Sequence, residues 1–159
     1  MPITSNSNLI GVISDTHGRL PRSAVKVFSD VDLIIHAGDI GEPDILKTLE
    51  KVAPTKAVRG NMDTGNWALK LPKNEVIKIE QILLYVLHDV NRLKLQPDST
   101  AYDAVISGHT HRPAVEKKHG MLYINPGSAV QPRFGYPPSV ALLRIKNNAV
   151  QARLIELKD

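Results

Sequence analysis

Side chains that commonly bind metal ions follow five apolar segments of this chain. In chain order the groups are Asp15-Thr16-His17, Gly38-Asp39, Gly60-Asn61, His88 and Gly108-His109-Thr110-His111. A single Gly–Asp or Gly–Asn pair after a strand is usually an ordinary turn. Five such segment ends in one chain are too many to attribute to turns, so we interpret them as parts of one metal centre.

The candidate ligands form a mixed oxygen and nitrogen set. They are Asp15, His17, Asp39, Asn61, His88, His109 and His111. Such a set suits Mn²⁺, Fe²⁺ or Zn²⁺ better than Ca²⁺ or Mg²⁺, which prefer oxygen ligands alone. Seven ligands are too many for one tetrahedral ion but match two ions that share a carboxylate, which we assign to Asp39. We therefore expect two divalent ions, with Mn²⁺ favoured and Fe²⁺, Zn²⁺ or Ni²⁺ as alternatives.

The five histidines other than His88 differ in what their positions predict. In Asp15/His17 and in His109/His111, the i, i+2 spacing directs both side chains the same way if the backbone is extended. His36 lies inside an apolar run, which indicates a core residue or one that supports a ligand. His119 falls at a predicted hairpin tip and is expected to be solvated.

Composition limits the class of protein. The chain has 159 residues, 42% of them hydrophobic, which is enough for one domain over residues 1–159. It has no cysteine, so disulfides and thiolate-bound zinc are excluded, as suits a cytoplasmic protein. No apolar run approaches the length of a membrane span, and the N-terminus lacks the pattern of a signal peptide. The formal charge of +4 is scattered, so a nucleic-acid partner is not expected.

Apolar patterns predict a parallel sheet in the first half of the chain. Short buried strands are predicted at Leu9–Ser14, Leu33–His36 and Thr55–Val58. Helices between them begin near Pro21 and Pro43, because proline is tolerated in a first helical turn. This β-α-β-α-β order implies parallel strands with right-handed crossovers.

The second half predicts mostly antiparallel pairing. Its predicted hairpins are Val76–Ile79 with Ile82–Leu87, Ala114–Lys117 with Met121–Ile124, and Val140–Ile145 with Val150–Leu157. Ala104–Ser107 is a further buried strand, and Asn91–Tyr102 leaves room for only a short helix. Two sheets packed face to face between helices accommodate both halves.

The ordered motifs resemble the calcineurin-like metallophosphoesterases, particularly their small single-domain phosphodiesterase branch. The resemblance runs from Leu9 to Leu157 and includes Asn125-Pro126-Gly127-Ser128. It implies an α/β fold, a four-layer αββα sandwich of two mixed sheets flanked by helices. It also implies a dinuclear metal-dependent phosphodiesterase acting on a small phosphoester. In such an enzyme a hydroxide that bridges the metals attacks phosphorus in line.

The resemblance also divides the ligands between the two metals. One metal would be held by Asp15, His17, Asp39 and His111, and the other by Asp39, Asn61, His88 and His109. Asp39, Asn61 and His88 would thereby take part in catalysis. Arg59, Arg112 or Asn125 could bind the remaining phosphate oxygens, although a surface or structural role is equally open for each. Neither Ser14 nor Ser128 has the neighbouring base that a covalent mechanism needs.

The sequence departs from the family pattern at two positions. Many relatives have a histidine directly after the Gly–Asn pair, thought to protonate the leaving group, whereas this chain has Met62 followed by Asp63. Many relatives also have glycine where this chain has Asp89, whose carboxylate either orients His88 or faces solvent. Without a histidine acid, the enzyme should favour activated or diester substrates over alkyl monoesters.

Two other functions are compatible with the fold. A retromer subunit resembles it and serves mainly as an interaction scaffold with altered ligand positions; here all seven positions are retained, which favours the enzyme. A DNA-processing nuclease of the same superfamily is disfavoured, because the chain has neither a capping domain nor a concentrated basic stretch. The sequence leaves open a homo-oligomer and does not identify the substrate.

Overall fold

The computed structural model describes residues 7–93 and 102–158. The strands in these ranges are β1 (Asn8–Ile13), β2 (Leu33–His36), β3 (Thr55–Ala57), β4 (Asn74–Ile79), β5 (Ile82–Leu87), β6 (Ala104–Ile106), β7 (Ala114–Lys118), β8 (Met121–Asn125), β9 (Ser139–Lys146) and β10 (Ala149–Glu156). The helices are α1 (Arg22–Val27), α2 (Pro43–Val52) and α3 (Asn66–Leu69), with a 3₁₀ turn at Val90–Arg92.

The first sheet joins the two ends of the chain. Among the described residues it has five strands in the order β10-β9-β1-β2-β3. Strands β1, β2 and β3 are parallel, and β9 runs antiparallel to β1 on the other side. Helices α1 and α2 connect the parallel strands and pack on the outer face, where Phe28 and Leu49 are fully buried against Ile34. Pro43 is tolerated at the start of α2 because no backbone donor is needed there. Lys51 in the last turn complements the negative end of the helix dipole.

The second sheet is also mixed. Its five described strands have the order β4-β5-β6-β8-β7. Strands β5, β6 and β8 are parallel, while β4 and β7 pair antiparallel at the two edges. On its outer face Leu87, Val105 and Met121 are buried beneath Tyr85 and Tyr102.

A shared core joins the two sheets face to face. Ile10 and Val12 of β1 pack in one buried cluster with Leu84 of β5 and Ile106 of β6. The neighbouring β1 residue Ile13 belongs instead to the cluster beneath the helices. Strand β1 is thus covered on both faces, which explains why its sequence is continuously apolar rather than alternating.

The predicted fold class is confirmed: two mixed sheets form an α/β sandwich. The structure differs from the prediction in where the last hairpin lies, since β9 and β10 extend the first sheet. All three predicted hairpins of the second half are present as antiparallel pairs, while β6 is parallel to both of its neighbours. The short helix α3 was not predicted. The segment expected to allow a short helix, Asn91–Tyr102, lies mostly outside the described residues.

Helices in the described ranges are all too short to cross a membrane. The longest of them, α2, has ten residues. A membrane-spanning helix needs about 20 apolar residues.

Candidate metal centre

The candidate ligands follow the carboxyl ends of parallel strands in both sheets. Asp15 follows β1, Asp39 follows β2, and Asn61 follows β3. In the second sheet, His88 directly follows β5 and His109 follows β6. Ligands of open α/β sheets bind at this edge, and here two such edges meet.

A first group of ligand atoms surrounds the Asp15 carboxylate. Its Oδ1 atom lies 3.3 Å from His111 Nε2 and 3.8 Å from His17 Nε2. The Nε2 atoms of the two histidines are 3.4 Å apart. These three residues each offer a ligand atom within 4.8 Å of the others, so one cation could contact all three.

A second group comprises Asp15, Asp39 and His88, again with ligand atoms within 4.8 Å of one another. Asp39 Oδ2 lies 3.3 Å from His88 Nε2 and 3.9 Å from His17 Nε2. Asp39 therefore contacts one histidine from each predicted ligand set. Asp15 Oδ1 also lies 3.9 Å from His88 Nε2, so both carboxylates lie between the two groups.

Asn61 and His109 form a pair beside the second group. Asn61 Oδ1 is 3.2 Å from His109 Nδ1. The His109 ring meets the His88 ring edge to face, with centroids 5.1 Å apart. This pair is more exposed than the carboxylates, so it lies at the mouth of the site.

Left-handed backbone is concentrated at the candidate ligands. Five candidate ligands, half of the ten non-glycine residues with positive φ in the described ranges, adopt it: Asp15 (55°), His17 (46°), Asp39 (56°), His109 (73°) and His111 (61°). The extended backbone assumed for the i, i+2 pairs is therefore absent. Asp15 and His17 still converge, but His109 and His111 join different groups. Residues in this conformation cost of order 1–3 kcal/mol each and are held only where the surroundings fix them.

Two glycines permit close approach between loops of this site. A Cβ atom at Gly60 would overlap the backbone nitrogen and Oδ1 of Asp39. One at Gly108 would overlap Ser14 Oγ and Asp15 Oδ2. Glycine is therefore required at both positions by packing against the carboxylates.

Hydrogen bonds fix one end of each buried ligand and leave the other end facing the group. The Nδ1 atoms of His88 and His111 lie 2.8 and 2.5 Å from the carbonyl oxygens of Ala37 and Gln131. Because a carbonyl only accepts, each Nδ1 donates, and in the neutral ring the lone pair of each Nε2 faces the ligand group. Asp15 Oδ2 accepts from Ser14 Oγ at 2.7 Å and from the His109 amide at 3.0 Å.

Two fully buried polar atoms of the centre make no hydrogen bond within the described residues. They are Asp15 Oδ1 and His88 Nε2. A buried polar group left in this way costs about 1–3 kcal/mol. Both atoms belong to types that bind divalent transition metals, and carbonyl-bound histidines are typical metal ligands. The residues present therefore fit a divalent metal.

Burial and mutual charge shift the pKa values of three central groups. Burial raises the pKa of Asp15, although Ser14 and two nearby histidines oppose it. Burial would also raise the pKa of Asp39, but His88 and the Met62 amide outweigh it, so this pKa is lowered. Burial would lower the pKa of His88, but the Asp39 and Asp15 carboxylates outweigh it and the pKa is raised. Two carboxylates this close favour a bound cation.

His36 is a buried residue that joins two ligand loops. Its Nε2 is 3.0 Å from Thr16 Oγ1, and its Nδ1 accepts from the Gly38 amide at 3.1 Å. Thr16 Oγ1 donates to the Ile40 carbonyl at 2.8 Å, so it must accept from His36. Burial, with the charge of His88 beside it, lowers the pKa of His36 to about 3. The neutral ring therefore holds the Asp15 and Asp39 loops in place through its hydrogen bonds to Thr16 and Gly38.

The predicted phosphate-binding residues occupy three different environments. Arg59 lies half-buried beside the ligands in a cleft. Arg112 is exposed, and its guanidinium stacks 4.4 Å from the centre of the Phe134 ring. Asn125 Nδ2 donates to the Gly108 carbonyl and to Thr110 Oγ1, at 3.0 and 3.1 Å. Among the three, only Asn125 has its side chain committed to holding a ligand loop.

Three further residues singled out in the sequence have defined contacts. The Met62 side chain is 62% exposed, while its amide donates to Asp39 Oδ1 at 2.8 Å. Asp63 is buried and accepts from the amides of Gly41 and Gly60. Asp89 accepts from the Asn91 amide at 3.0 Å, with His109 Nε2 3.8 Å away. His88 is oriented by the hydrogen bond that its Nδ1 donates to the Ala37 carbonyl, and not by Asp89.

Sequence reasoning missed the supporting role of Ser128. This serine was considered only as a nucleophile, but its Oγ donates to the Asp15 carbonyl and accepts from the Gln131 amide, both at 2.8 Å. The Gln131 carbonyl in turn accepts from His111. The sequence feature that indicates this role is the position of Ser128 directly after Pro126-Gly127, because a serine hydroxyl in a turn can hydrogen-bond to nearby backbone groups.

Comparison with known proteins identifies the class. A family profile described as the calcineurin-like phosphoesterase superfamily domain matches residues 9–148. A relative from Methanothermobacter thermautotrophicus, named a probable metallophosphoesterase, is 38% identical over 159 residues, covering 92% of this chain and 91% of that protein. The chain belongs to the calcineurin-like phosphoesterase superfamily. Divalent metal binding is a property of this family, and the described Asp and His groups supply candidate ligands.

Solved structures agree with this assignment. A structure described as a novel archaeal phosphodiesterase matches with a TM-score of 0.78 and 28% identity, covering 92% of this chain and 99% of that one. Chaetomium thermophilum Vps29 matches with a TM-score of 0.72 and 22% identity, covering 96% of this chain and all of that one. At that identity, the second likeness concerns the fold alone.

Proposed function

We propose that this protein is a dinuclear metal-dependent phosphodiesterase. The proposal is carried by a pair of ligand groups that share the buried Asp15 carboxylate, with Asp15 Oδ1 and His88 Nε2 left without hydrogen bonds in the described chain. Asp39, which we assign as the bridge, lies 3.3 Å from His88 Nε2 and 3.9 Å from His17 Nε2. One group alone would suit a single ion. Two overlapping groups, with Asn61 and His109 beside the second, suit two ions close together.

The seven candidate ligands divide into two sets of four that share Asp39. Asp15, His17, Asp39 and His111 would hold one ion, and Asp39, Asn61, His88 and His109 the other. When bound, two divalent ions supply a nucleophile from water at neutral pH and stabilise charge on the phosphate. Mn²⁺ suits this mixed ligand set, with Fe²⁺, Zn²⁺ and Ni²⁺ as alternatives.

The protein groups orient the ligands and the phosphoester. His88 and His111 present Nε2 because their Nδ1 atoms are fixed by carbonyls. Of the three predicted phosphate-binding residues, Arg59 is the one that lines the cleft with Asn61, His88 and His109, so its guanidinium would bind phosphate oxygens. Arg112 would assist from the other side, and Asn125 would act by holding the Gly108–Thr110 loop.

The position after Asn61 shapes the substrate preference. Met62 has no proton to donate, and the buried Asp63 carboxylate is held by the amides of Gly41 and Gly60. We therefore expect a small phosphodiester whose leaving group departs without a proton.

The absence of cysteine from the sequence suits a cytoplasmic location.

An interaction scaffold with residual metal binding is the second candidate, because Vps29 shares this fold. The ligand groups favour the enzyme. All seven candidate ligands are retained, with both carboxylates 3.3 Å from a histidine nitrogen, which supports an enzyme over a scaffold with altered ligand positions.

The test is hydrolysis by purified protein that has been stripped of metal and reloaded with Mn²⁺, Fe²⁺, Zn²⁺ or Ni²⁺. Bis(p-nitrophenyl) phosphate and p-nitrophenyl phosphate provide a diester and a monoester with the same leaving group. We expect metal-dependent hydrolysis with the diester preferred. Tight metal binding without turnover of either ester would favour the scaffold instead.

A further inference from the structure

A cleft of about 500 Å³ opens beside the second ligand group. Asn61, His88 and His109 form its inner end. This volume is within the range of small-molecule sites, about 300–1,000 Å³. It exceeds what a single phosphate needs, so it can accept the rest of a substrate whose phosphate is at the ligands.

Three cations from three separate segments line the same cleft. They are Arg59, Lys73 and Arg92. The Arg59 amide donates to the Pro72 carbonyl at 2.8 Å, which brings the end of β3 to the start of β4. Asn74 pairs with Leu87, so Lys73 lies opposite the end of β5, and Arg92 is on the 3₁₀ turn that follows His88.

The charges of these cations are not neutralised within the described chain. Arg59, Lys73 and Arg92 form no ion pair among the described residues, and the one carboxylate lining the cleft is Asp89. Tyr85 and Leu87 supply an apolar wall. A concave site with excess positive charge and an apolar wall binds an organic anion.

From this arrangement we propose that the cleft selects phosphodiesters carrying a second anionic group, such as a phosphate, on the arm that extends from the reacting phosphorus. The inference rests on the proposed function for the reaction, while the cleft itself can be tested by binding alone. Arg59 would lie between the two phosphates, and Lys73 with Arg92 would bind the second one. A nucleic-acid duplex or a membrane surface is not the expected ligand, because the cleft is concave and of small-molecule size.

Two probes that differ by one phosphate test the proposal. They are the p-nitrophenyl ester of thymidine 5′-phosphate and the same ester with an added 3′-phosphate. Both release p-nitrophenolate, so a difference in kcat/KM reports the second phosphate. We expect a preference of about tenfold for the charged probe, weakened by salt. Lys73→Gln with Arg92→Gln should abolish that preference, whereas Arg153→Gln, on exposed strand β10, should retain it.

Binding separates failure of the cleft from failure of the proposed reaction. Calorimetry with chelated protein compares thymidine 3′,5′-bisphosphate with thymidine 5′-phosphate. Tighter binding of the bisphosphate, lost in the double variant, supports the cleft even if neither ester is hydrolysed. Equal binding and equal kcat/KM for the paired probes would overturn it, even if both esters are hydrolysed.

Discussion

The imidazole of His88 donates from Nδ1 to the carbonyl oxygen of Ala37, 2.8 Å away. His88 directly follows β5 of the second sheet, whereas Ala37 follows β2 of the first. The bond therefore joins the two sheets at the edge where the candidate ligands meet. It also aims Nε2 at Asp39, so the same contact that closes the sandwich orients a candidate ligand.

Metal binding should stabilise the folded protein. A ligand that binds only the folded state contributes about 4 kcal/mol at a thousandfold excess over its Kd. For a chain of this size, that free energy raises Tm by about 10 °C. Thermal unfolding of the chelated protein with and without Mn²⁺ measures the shift, and calorimetry should count two ions per chain. One ion per chain at saturation would contradict the dinuclear proposal.

Asp39→Asn should reduce hydrolysis about 100-fold or more while leaving the fold intact. Asparagine keeps the oxygen that accepts from the Met62 amide but removes the charge that would stabilise both metals. Steady-state hydrolysis of bis(p-nitrophenyl) phosphate and circular dichroism measure the two effects. Asp44→Asn is the matched control, because Asp44 is exposed on helix α2. Activity above about a tenth of wild type, with metal content unchanged, would exclude a bridging role.

Met62→His should lessen the dependence of the rate on the leaving group. General acid catalysis contributes about 10²–10⁴ in rate, most for leaving groups of high pKa. The Met62 side chain is exposed, so the substitution should be tolerated. Across a series of aryl esters, log kcat should fall steeply with leaving-group pKa in the wild type and less steeply in the variant. A shallow slope in the wild type, with chemistry rate-limiting, would mean that another acid operates.

His36 should make the metal-free protein less stable in mild acid. Its folded pKa of about 3 lies below the usual 6.5, so between these values the unfolded chain binds a proton that the folded protein does not. Stability from this group is therefore complete above pH 6.5 and falls as pH decreases. From pH 7 to pH 5 the loss is about 2 kcal/mol. His36→Gln should remove that part of the pH dependence.

Urea unfolding of the chelated wild type and of chelated His36→Gln at pH 7 and pH 5 measures how much free energy of unfolding each protein loses between the two pH values. The difference between the two losses is the contribution of His36. Contributions from titrating groups that do not interact with His36 cancel in the comparison. His119→Gln is the control, because that side chain is exposed at the tip of the β7–β8 hairpin. Equal pH dependence in wild type and His36→Gln would show that His36 does not stay neutral.

The strands were predictable because their apolar runs are short, buried on both faces and separated by turn residues. Leu33–His36 was predicted with the bounds that the structure has. Partners of strands were harder to predict, since pairing depends on contacts between distant residues. Nothing local to Val140–Ile145 indicates that β9 pairs with β1 rather than with the second sheet.

The groups of candidate ligands were predictable in type but not in geometry. Glycine before Asp39 and before His109 indicated tight turns. Asp and His adopt left-handed φ more often than most residues, but residue type does not indicate which of them do so. The supporting bonds of Ser128 and Asn125 were also hidden. Short polar residues occur in most loops, and only folding shows which backbone atom each one meets.

The pairing of β1 with β9 has a consequence for the order in which the molecule assembles. Strand β1, which leads into Asp15 and His17, has its antiparallel neighbour about 130 residues later in the chain. Ribosomal synthesis therefore delivers every candidate ligand before the strand that completes their sheet. Loop closure over such a separation is slow, so a nascent chain would present its histidines and carboxylates to solvent before they are gathered. Loss of the last hairpin, which holds no candidate ligand, would leave β1 with an open edge and the centre without support.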